Sequence, residues 1–335
     1  MTKIFLTGAT GYIGGDVLYQ LSTTSNSKYS ISALVRTESK VTEVAKAYPN
    51  VRVIKGDLDD LNLIEEEARN ADIVLHLAST DHLESTKAIR RGLVESKRQH
   101  PACWIQIGGG LLLAQNEVAQ GIIGVRNDKI YDDLADVDEI HSVIKDNPHR
   151  EVDNFLASQD SSRVKTALIV GPHFYGTGRG PVNTRSMQAP DIVKATLKLN
   201  EGFRLGEGKN SWSDLHVQDL SDLILLLVEA AVDSKTGKLW GHDGIYIPEN
   251  GSMEFGELNA RIASEAHKQG LIPDPSITKV VDAKEANTLG SEGAILWGTN
   301  CLGRSTRARS LLGWKPSRPS LADEVPNLVS SESKQ

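Results

Sequence analysis

The sequence predicts an α/β protein built on a doubly wound parallel sheet, and three observations carry that reading. A glycine-rich turn joins the first apolar run to the first helical stretch. Six short apolar runs alternate with amphipathic stretches through the first half. The second half loses that alternation, so it builds a smaller part of different design.

Residues 3–7 form the first apolar run and the first expected strand. Ile13, Val17, Leu18 and Leu21 recur at helical spacing and predict the helix that follows. Residues 30–35, 51–54, 73–77, 103–107 and 164–170 supply five more strands. Between them Leu61, Ile64 and Ala68 mark one helix, and Ile89, Leu93 and Val94 another. Strand–helix–strand units at this spacing close right-handed and cover both faces of the sheet. After Val170 the pattern breaks. Residues 171–181 are rich in glycine and proline and read as a long loop. Residues 219–231 read as an apolar helix capped by Asp219, with His216 also structural. Residues 256–269 form a further helix with Leu258, Ile262 and Ala266 on one side, and the tail from Ser330 reads as frayed.

Composition removes several classes of function. Net charge is −7 over 335 residues, with both signs interspersed, so the footprint of a nucleic-acid binder is missing. The longest basic cluster, 304–309, reads as solvated surface or a substrate-side feature. Cys103 sits in an apolar run as a small hydrophobe, and with only Cys301 besides there is no zinc-ligand spacing. The chain enters its first strand at once, which leaves no room for a secretory signal. No window approaches the ~20 apolar residues of a membrane span, so the expected setting is cytoplasmic.

The segment Thr7-Gly8-Ala9-Thr10-Gly11-Tyr12-Ile13-Gly14 follows a strand and opens a helix. Gly8 permits the tight turn, Gly11 lets backbone approach a pyrophosphate, and Gly14 lets helix pack on strand. The free N–H groups and dipole of that helix start would hold the phosphates. The fold is therefore expected to be Rossmann-type, with a dinucleotide on the N-terminal half. The expected division is 1–175 for the cofactor and 176–330 mostly for substrate, the chain crossing back near 210–235.

The GxxGxxG spacing resembles the short-chain dehydrogenase/reductase superfamily in its extended, epimerase/dehydratase-like branch, and more narrowly a fungal group of such proteins. Later segments support the resemblance: Gly56-Asp57-Leu58, Ala78-Ser79, Gly171-Pro172-His-Phe-Tyr175-Gly, Leu215-His-Val-Gln-Asp219 and Leu312-Gly-Trp-Lys-Pro316. The resemblance implies that Asp57 and Leu58 meet the adenine. Ala78 and Ser79 would line the cofactor, and Pro172 would lie near the nicotinamide.

The second expected strand ends Leu34-Val35-Arg36-Thr37, without the acid that binds a ribose 2′-hydroxyl in NAD sites. Arg36 instead suits a 2′-phosphate, with Thr37, Ser39 and Lys40 as helpers, so the expected cofactor is NADP(H). Glu38 is the nearest residue that would argue for NAD.

The superfamily's Tyr-x-x-x-Lys pair, which exchanges a proton with substrate, cannot be carried over. The residues four beyond Tyr12, Tyr19, Tyr29, Tyr48, Tyr131, Tyr175 and Tyr246 are Asp, Thr, Ala, Arg, Ala, Arg and Asn. The hydroxyl residue after the fifth strand is replaced by Gly108-Gly109-Gly110, with Gly108 beside the cofactor. Asn147, Pro148 and His149 read as a helix start, which sets His149 at the tyrosine position and Asp153 at the lysine position, where it would orient the histidine. The other candidates are Tyr131, Tyr175 as a pocket residue, and, ranked lower, the pair His141 and Lys145.

The reading that follows is an NADP(H)-dependent reductase of a small organic carbonyl or conjugated alkene in specialised metabolism. The alternatives are a non-redox isomerase, epimerase or cyclase on the same fold, and an NADP(H)-sensing regulator. A small-molecule substrate is expected, with no nucleic-acid or membrane partner. A homodimer is common in the superfamily.

Overall fold

The computed structural model describes residues 1–24, 28–95, 100–147 and 149–334. β1 (Thr2–Thr7) runs into the glycine turn and α1 (Tyr12–Thr24). β2 (Tyr29–Val35), α2 (Glu38–Ala47), β3 (Arg52–Lys55), α3 (Leu61–Asn70), β4 (Ile73–His76), α4 (Leu83–Glu95) and β5 (Ala102–Gly109) continue the alternation. Then come α5 (Gln115–Gln120), β6 (Ile130–Asp132), α6 (Val137–Lys145), α7 (Glu151–Ala157) and β7 (Val164–Gly171). All six expected runs are strands.

The remaining elements are β8 (His173–Tyr175), α8 (Gln188–Leu199), β9 (Gly202–Leu205), β10 (Ser211–His216), α9 (Val217–Val232), β11 (Ile245–Tyr246) and β12 (Ser252–Glu254). α10 (Phe255–Lys268), β13 (Ile277–Val281), α11 (Ala283–Leu289), α12 (Gly293–Leu296), β14 (Leu302–Arg304), α13 (Thr306–Leu311) and α14 (Leu321–Glu332) complete the chain.

The main sheet has seven strands in the order β11-β7-β5-β4-β1-β2-β3, and every pairing in it is parallel. Strand order reverses between β1 and β4, and the crevice outside that switch point is where doubly wound sheets bind ligands. Alternate residues of each strand face opposite layers. Ile4 and Leu6 join the core that holds Val17 and Leu21 of α1 and Leu220 and Ile224 of α9. Phe5 joins the core that holds Ile64 of α3 and Ile89 of α4. A third core gathers α8, α10, α14 and their neighbours around Ile192, Phe203, Ile262 and Val329. α9 packs on α1 and β11 extends the main sheet beside β7. The chain thus returns to the first half after β10.

Four local expectations give way to long-range contacts. The loop after β7 contains β8, which pairs in parallel with β10. α9 is capped by His216, whose Nδ1 accepts from the Gln218 N–H at 3.1 Å. Asp219 instead accepts from the Ser317 and Arg318 N–H groups and so ties down the C-terminal segment. In the basic cluster Arg307 is fully buried, donating to the carbonyls of Asp133, Ile245 and Lys238, and is not a solvated surface residue. The tail stays helical to Glu332, which is buried and paired with Arg185 at 2.8 Å. No helix among the described residues is long and apolar enough to cross a membrane.

Candidate active site

Gly8 sits at φ +87°, and a Cβ there would lie 2.7 Å from the Leu77 carbonyl carbon. Only glycine takes that turn without strain. At Gly14 a Cβ would meet the Gly8 carbonyl oxygen at 2.2 Å, so the helix rests directly on the loop. Gly11 is different: its nearest neighbour would be the Gly8 oxygen at 3.3 Å, and the space beyond is open. This places two backbone approaches and one open face at the start of α1.

A groove of about 400 Å³ runs from that open face. Gly8, Thr10, Gly11, Arg36, Asp57, Leu58 and Ala78 line it, as the sequence anticipates, together with Lys40. Thr37, Ser39 and Glu38 do not line it. Glu38 lies beside Lys55, with its carboxylate 2.9 Å from the ammonium. Ser79 is not among the residues that line the groove. Its hydroxyl accepts from the Asp81 N–H and its carbonyl from the Gln106 side chain. The sequence reading overlooked His82 in the groove wall, 3.1 Å from Asp59. Helix N–H groups with Arg36 and Lys40 in one lining fit a phosphorylated dinucleotide, and Asp57 and Asp59 line the same groove.

Beyond Tyr12 and Ile13 the groove gives way to a cleft of about 740 Å³ at the C-terminal ends of β5 and β7. Gly108, Gly109, Gly110, Gly171 and Pro172 form its floor. Leu111, Val118, Phe174, Met187, Ile295 and Leu296 make most of its wall apolar. The Tyr12 hydroxyl lies 2.7 Å from the carbonyl oxygens of both Tyr175 and Gly176 and shares its one proton between them. It therefore pins the loop after β8 to the phosphate loop.

The candidate proton donors separate sharply. His149 lines the cleft and is exposed, its N–H donating to the Asn147 side chain at 2.9 Å. Pro148 lies outside the described residues. Helix α7 begins at Glu151, so His149 stands in the turn before it. The expected pairing of His149 with Asp153 is not formed. Asp153 is fully buried beneath Gly108, and its charged neighbour is Arg150, whose Nε lies 3.6 Å away. Burial pushes the Asp153 carboxyl up to about 6, against the pull of Arg150.

Tyr131 lies on β6, outside the cleft, with the Lys129 ammonium over its ring. Tyr175 is buried and does not line the pocket, because its hydroxyl donates to the Pro319 carbonyl at 2.9 Å. Burial raises its phenol well above the ordinary value, which suits it poorly to proton exchange. His141 stacks on His242 and bonds its carbonyl, and neither it nor Lys145 lines the cleft. Sequence reasoning also missed Arg150. Its guanidinium reaches into the cleft and donates to the Gly109 carbonyl at 2.9 Å. No cluster of three or more potential metal ligands stands among the described residues.

Comparison with known proteins agrees with this geometry. The NmrA-like family profile matches residues 1–100. An oxidase of Acremonium sp., ucsJ, is 36% identical over 343 residues, covering 99% of this chain and 98% of the relative. Among solved structures, PbgP3 from Burkholderia pseudomallei superposes with a TM-score of 0.68 at 13% identity, over 99% of this chain and 98% of that one. The dTDP-glucose 4,6-dehydratase DesIV of Streptomyces venezuelae, with NAD bound, gives 0.63 at 16% identity, over 99% and 97%. At such identities the structural matches establish the fold.

Proposed function

The chain belongs to one family with the Acremonium oxidase, within the epimerase/dehydratase-like extended short-chain dehydrogenases/reductases, and on that premise we propose that it is an NADP(H)-dependent oxidoreductase of a small organic molecule. We read the physiological direction as reduction of a carbonyl or conjugated alkene. One observation carries the reading: a groove at the start of α1, with Arg36 and Lys40 in its lining, stands beside an apolar-walled cleft with a glycine floor. The nicotinamide, when bound, supplies or accepts the hydride.

The chain's own residues then divide the work. The N–H groups at the start of α1 hold the pyrophosphate, and Arg36 with Lys40 holds the 2′-phosphate. The apolar wall excludes water from the reacting carbon, and the glycines at 108–110 leave space that the side chains of Leu168, Asp153, Arg150, Trp212 and Cys301 occupy. His149 is the candidate proton donor at the cleft wall, at the position the resemblance gives to the tyrosine.

Arg36→Ala is expected to weaken NADPH about 10- to 100-fold, the loss of one charge-assisted phosphate contact, while NADH affinity stays unchanged. Fluorescence titration with both cofactors reads the split. An equal loss for both would mean Arg36 serves the fold instead.

Turnover is tested with NADPH deuterated in turn at each C4 position and a small-molecule extract of the source cells. Label in a discrete metabolite is the expected result. A second reading, an NADP(H)-sensing regulator, is favoured by the absent tyrosine–lysine pair and hydroxyl. Tight NADPH binding with no label transferred would turn the assignment that way.

A further inference from the structure

Arg150 has no role in the residues assigned so far, yet it is the single lysine or arginine among those lining the cleft. Its side chain is 9% exposed. An arginine buried to that degree is ordinarily matched by acceptors on several sides. Here the match is incomplete. Nη2 donates to the Gly109 carbonyl at 2.9 Å. Nε stands 3.6 Å from Asp153, beyond hydrogen-bond length. Nη1 has no acceptor among the described residues.

The space around it is built for the group. A Cβ at Gly109 would lie 3.1 Å and 3.4 Å from the two terminal guanidinium nitrogens. The guanidinium thus occupies the region a side chain at 109 would fill, at the end of β5 and on the cleft floor. Behind it, both carboxyl oxygens of Asp153 are buried without a hydrogen-bond partner among the described residues. They lie beside the guanidinium without accepting a hydrogen bond from it. The other charged groups at the cleft, Asp81 and Glu292, are exposed to solvent at its rim.

Resting on the oxidoreductase reading, we propose that Arg150 is the anion-recognition point of the cleft, and that the substrate is an apolar molecule carrying a carboxylate or enolate oxygen at its reacting end. A planar guanidinium with free parallel donors matches a carboxylate or a delocalised enolate in geometry and charge. A wall of leucine, isoleucine, valine, methionine and phenylalanine matches the rest of such a molecule.

The test uses 4-phenylbutanoate and the matching alcohol, 4-phenylbutan-1-ol, as probes. Each is titrated by calorimetry into the full chain saturated with NADP⁺, so that the cations of the phosphate groove are occupied. The acid is expected to bind at least tenfold tighter than the alcohol. Arg150→Met should erase the difference while leaving alcohol binding in place, and Arg150→Lys should keep part of it. Equal affinity of acid and alcohol, no measurable binding of the acid, or a preference that survives in Arg150→Met would overturn the proposal. If Arg150→Met fails to fold, the acid-to-alcohol ratio in the parent and in Arg150→Lys still decides. Failure of the oxidoreductase reading shows elsewhere, as absent NADP⁺ binding or absent label transfer, and the same titrations run without cofactor keep the two apart.

Discussion

Gly14→Ala is expected to lose thermal stability and NADPH binding together, whereas Gly11→Ala is expected to lose NADPH binding alone. A methyl at 14 would stand 2.2 Å from the Gly8 carbonyl oxygen and 2.6 Å from its carbon. Both obstacles are backbone in the turn that Gly8 holds at φ +87°, so neither can swing aside. Relief requires α1 to lift off β1, which disturbs the packing of Val17, Leu18 and Leu21. Forced overpacking of this kind costs about 1–3 kcal/mol and sometimes more. A methyl at 11 meets only the Gly8 oxygen, at 3.3 Å, a few tenths of an ångström too close. The rest of it projects into the groove and would fill the approach of a pyrophosphate. We expect its melting temperature to stay near that of the parent and its NADPH affinity to fall roughly 100-fold, or about 2.7 kcal/mol. Scanning calorimetry and NADPH fluorescence give the two readouts. If Gly11→Ala binds NADPH like the parent, this loop is not the phosphate cradle.

What was legible in the sequence was whatever depends on neighbours along the chain. Apolar runs and helical spacing located β1 to β5 and β7 but not the short β6, and the glycine spacing located the loop between β1 and α1. The groove residues followed, because they sit at strand ends that the same pattern defines. What was not legible depends on contacts far apart in sequence. The Tyr175 phenol looks available in its loop, yet it is engaged by a carbonyl 144 residues away. Arg307 looks like part of an exposed basic run until Asp133, 174 residues earlier, supplies its acceptors. Arg150 was overshadowed by the histidine before it. Its meaning depends on Gly109, 41 residues upstream, having no side chain. In each case local chemistry gave the residue type and tertiary structure gave the partner.

The same dependence on distant partners makes Asp16 the residue with the largest expected effect on stability. It lies on α1 one turn past the phosphate loop and is fully buried. Its carboxylate accepts from the Arg179 backbone N–H at 2.8 Å, from Arg179 Nε at 3.0 Å and Nη2 at 2.6 Å, and from the Ser221 hydroxyl at 2.6 Å. Three separate pieces of chain therefore meet on one carboxylate: the phosphate helix, the loop after β8, and α9. Gly180 packs against Gly15 beside it, and Arg179 lies over the Tyr19 ring at 4.6 Å. Asp16→Ala would leave a partly buried guanidinium and a buried hydroxyl without their acceptor. Breaking a buried pair by removing one partner costs about 3–5 kcal/mol. We expect a loss in that range by denaturant melt. Asp16→Asn keeps one acceptor oxygen and should lose less. Removing Arg179 as well should recover part of the loss, since no charge is then stranded. The functional consequence separates from the fold. Tyr12 still pins Tyr175 and Gly176 to the phosphate loop, so the groove should keep its NADPH affinity at temperatures where the variant stays folded. The segment beyond Gly176, which leads to Ser186, Met187 and Gln188 in the cleft wall, loses its anchor. Binding of an apolar probe in the cleft should therefore weaken in Asp16→Asn while NADPH binding holds. An equal loss at both sites would mean that α1 itself, rather than the loop after β8, depends on this carboxylate.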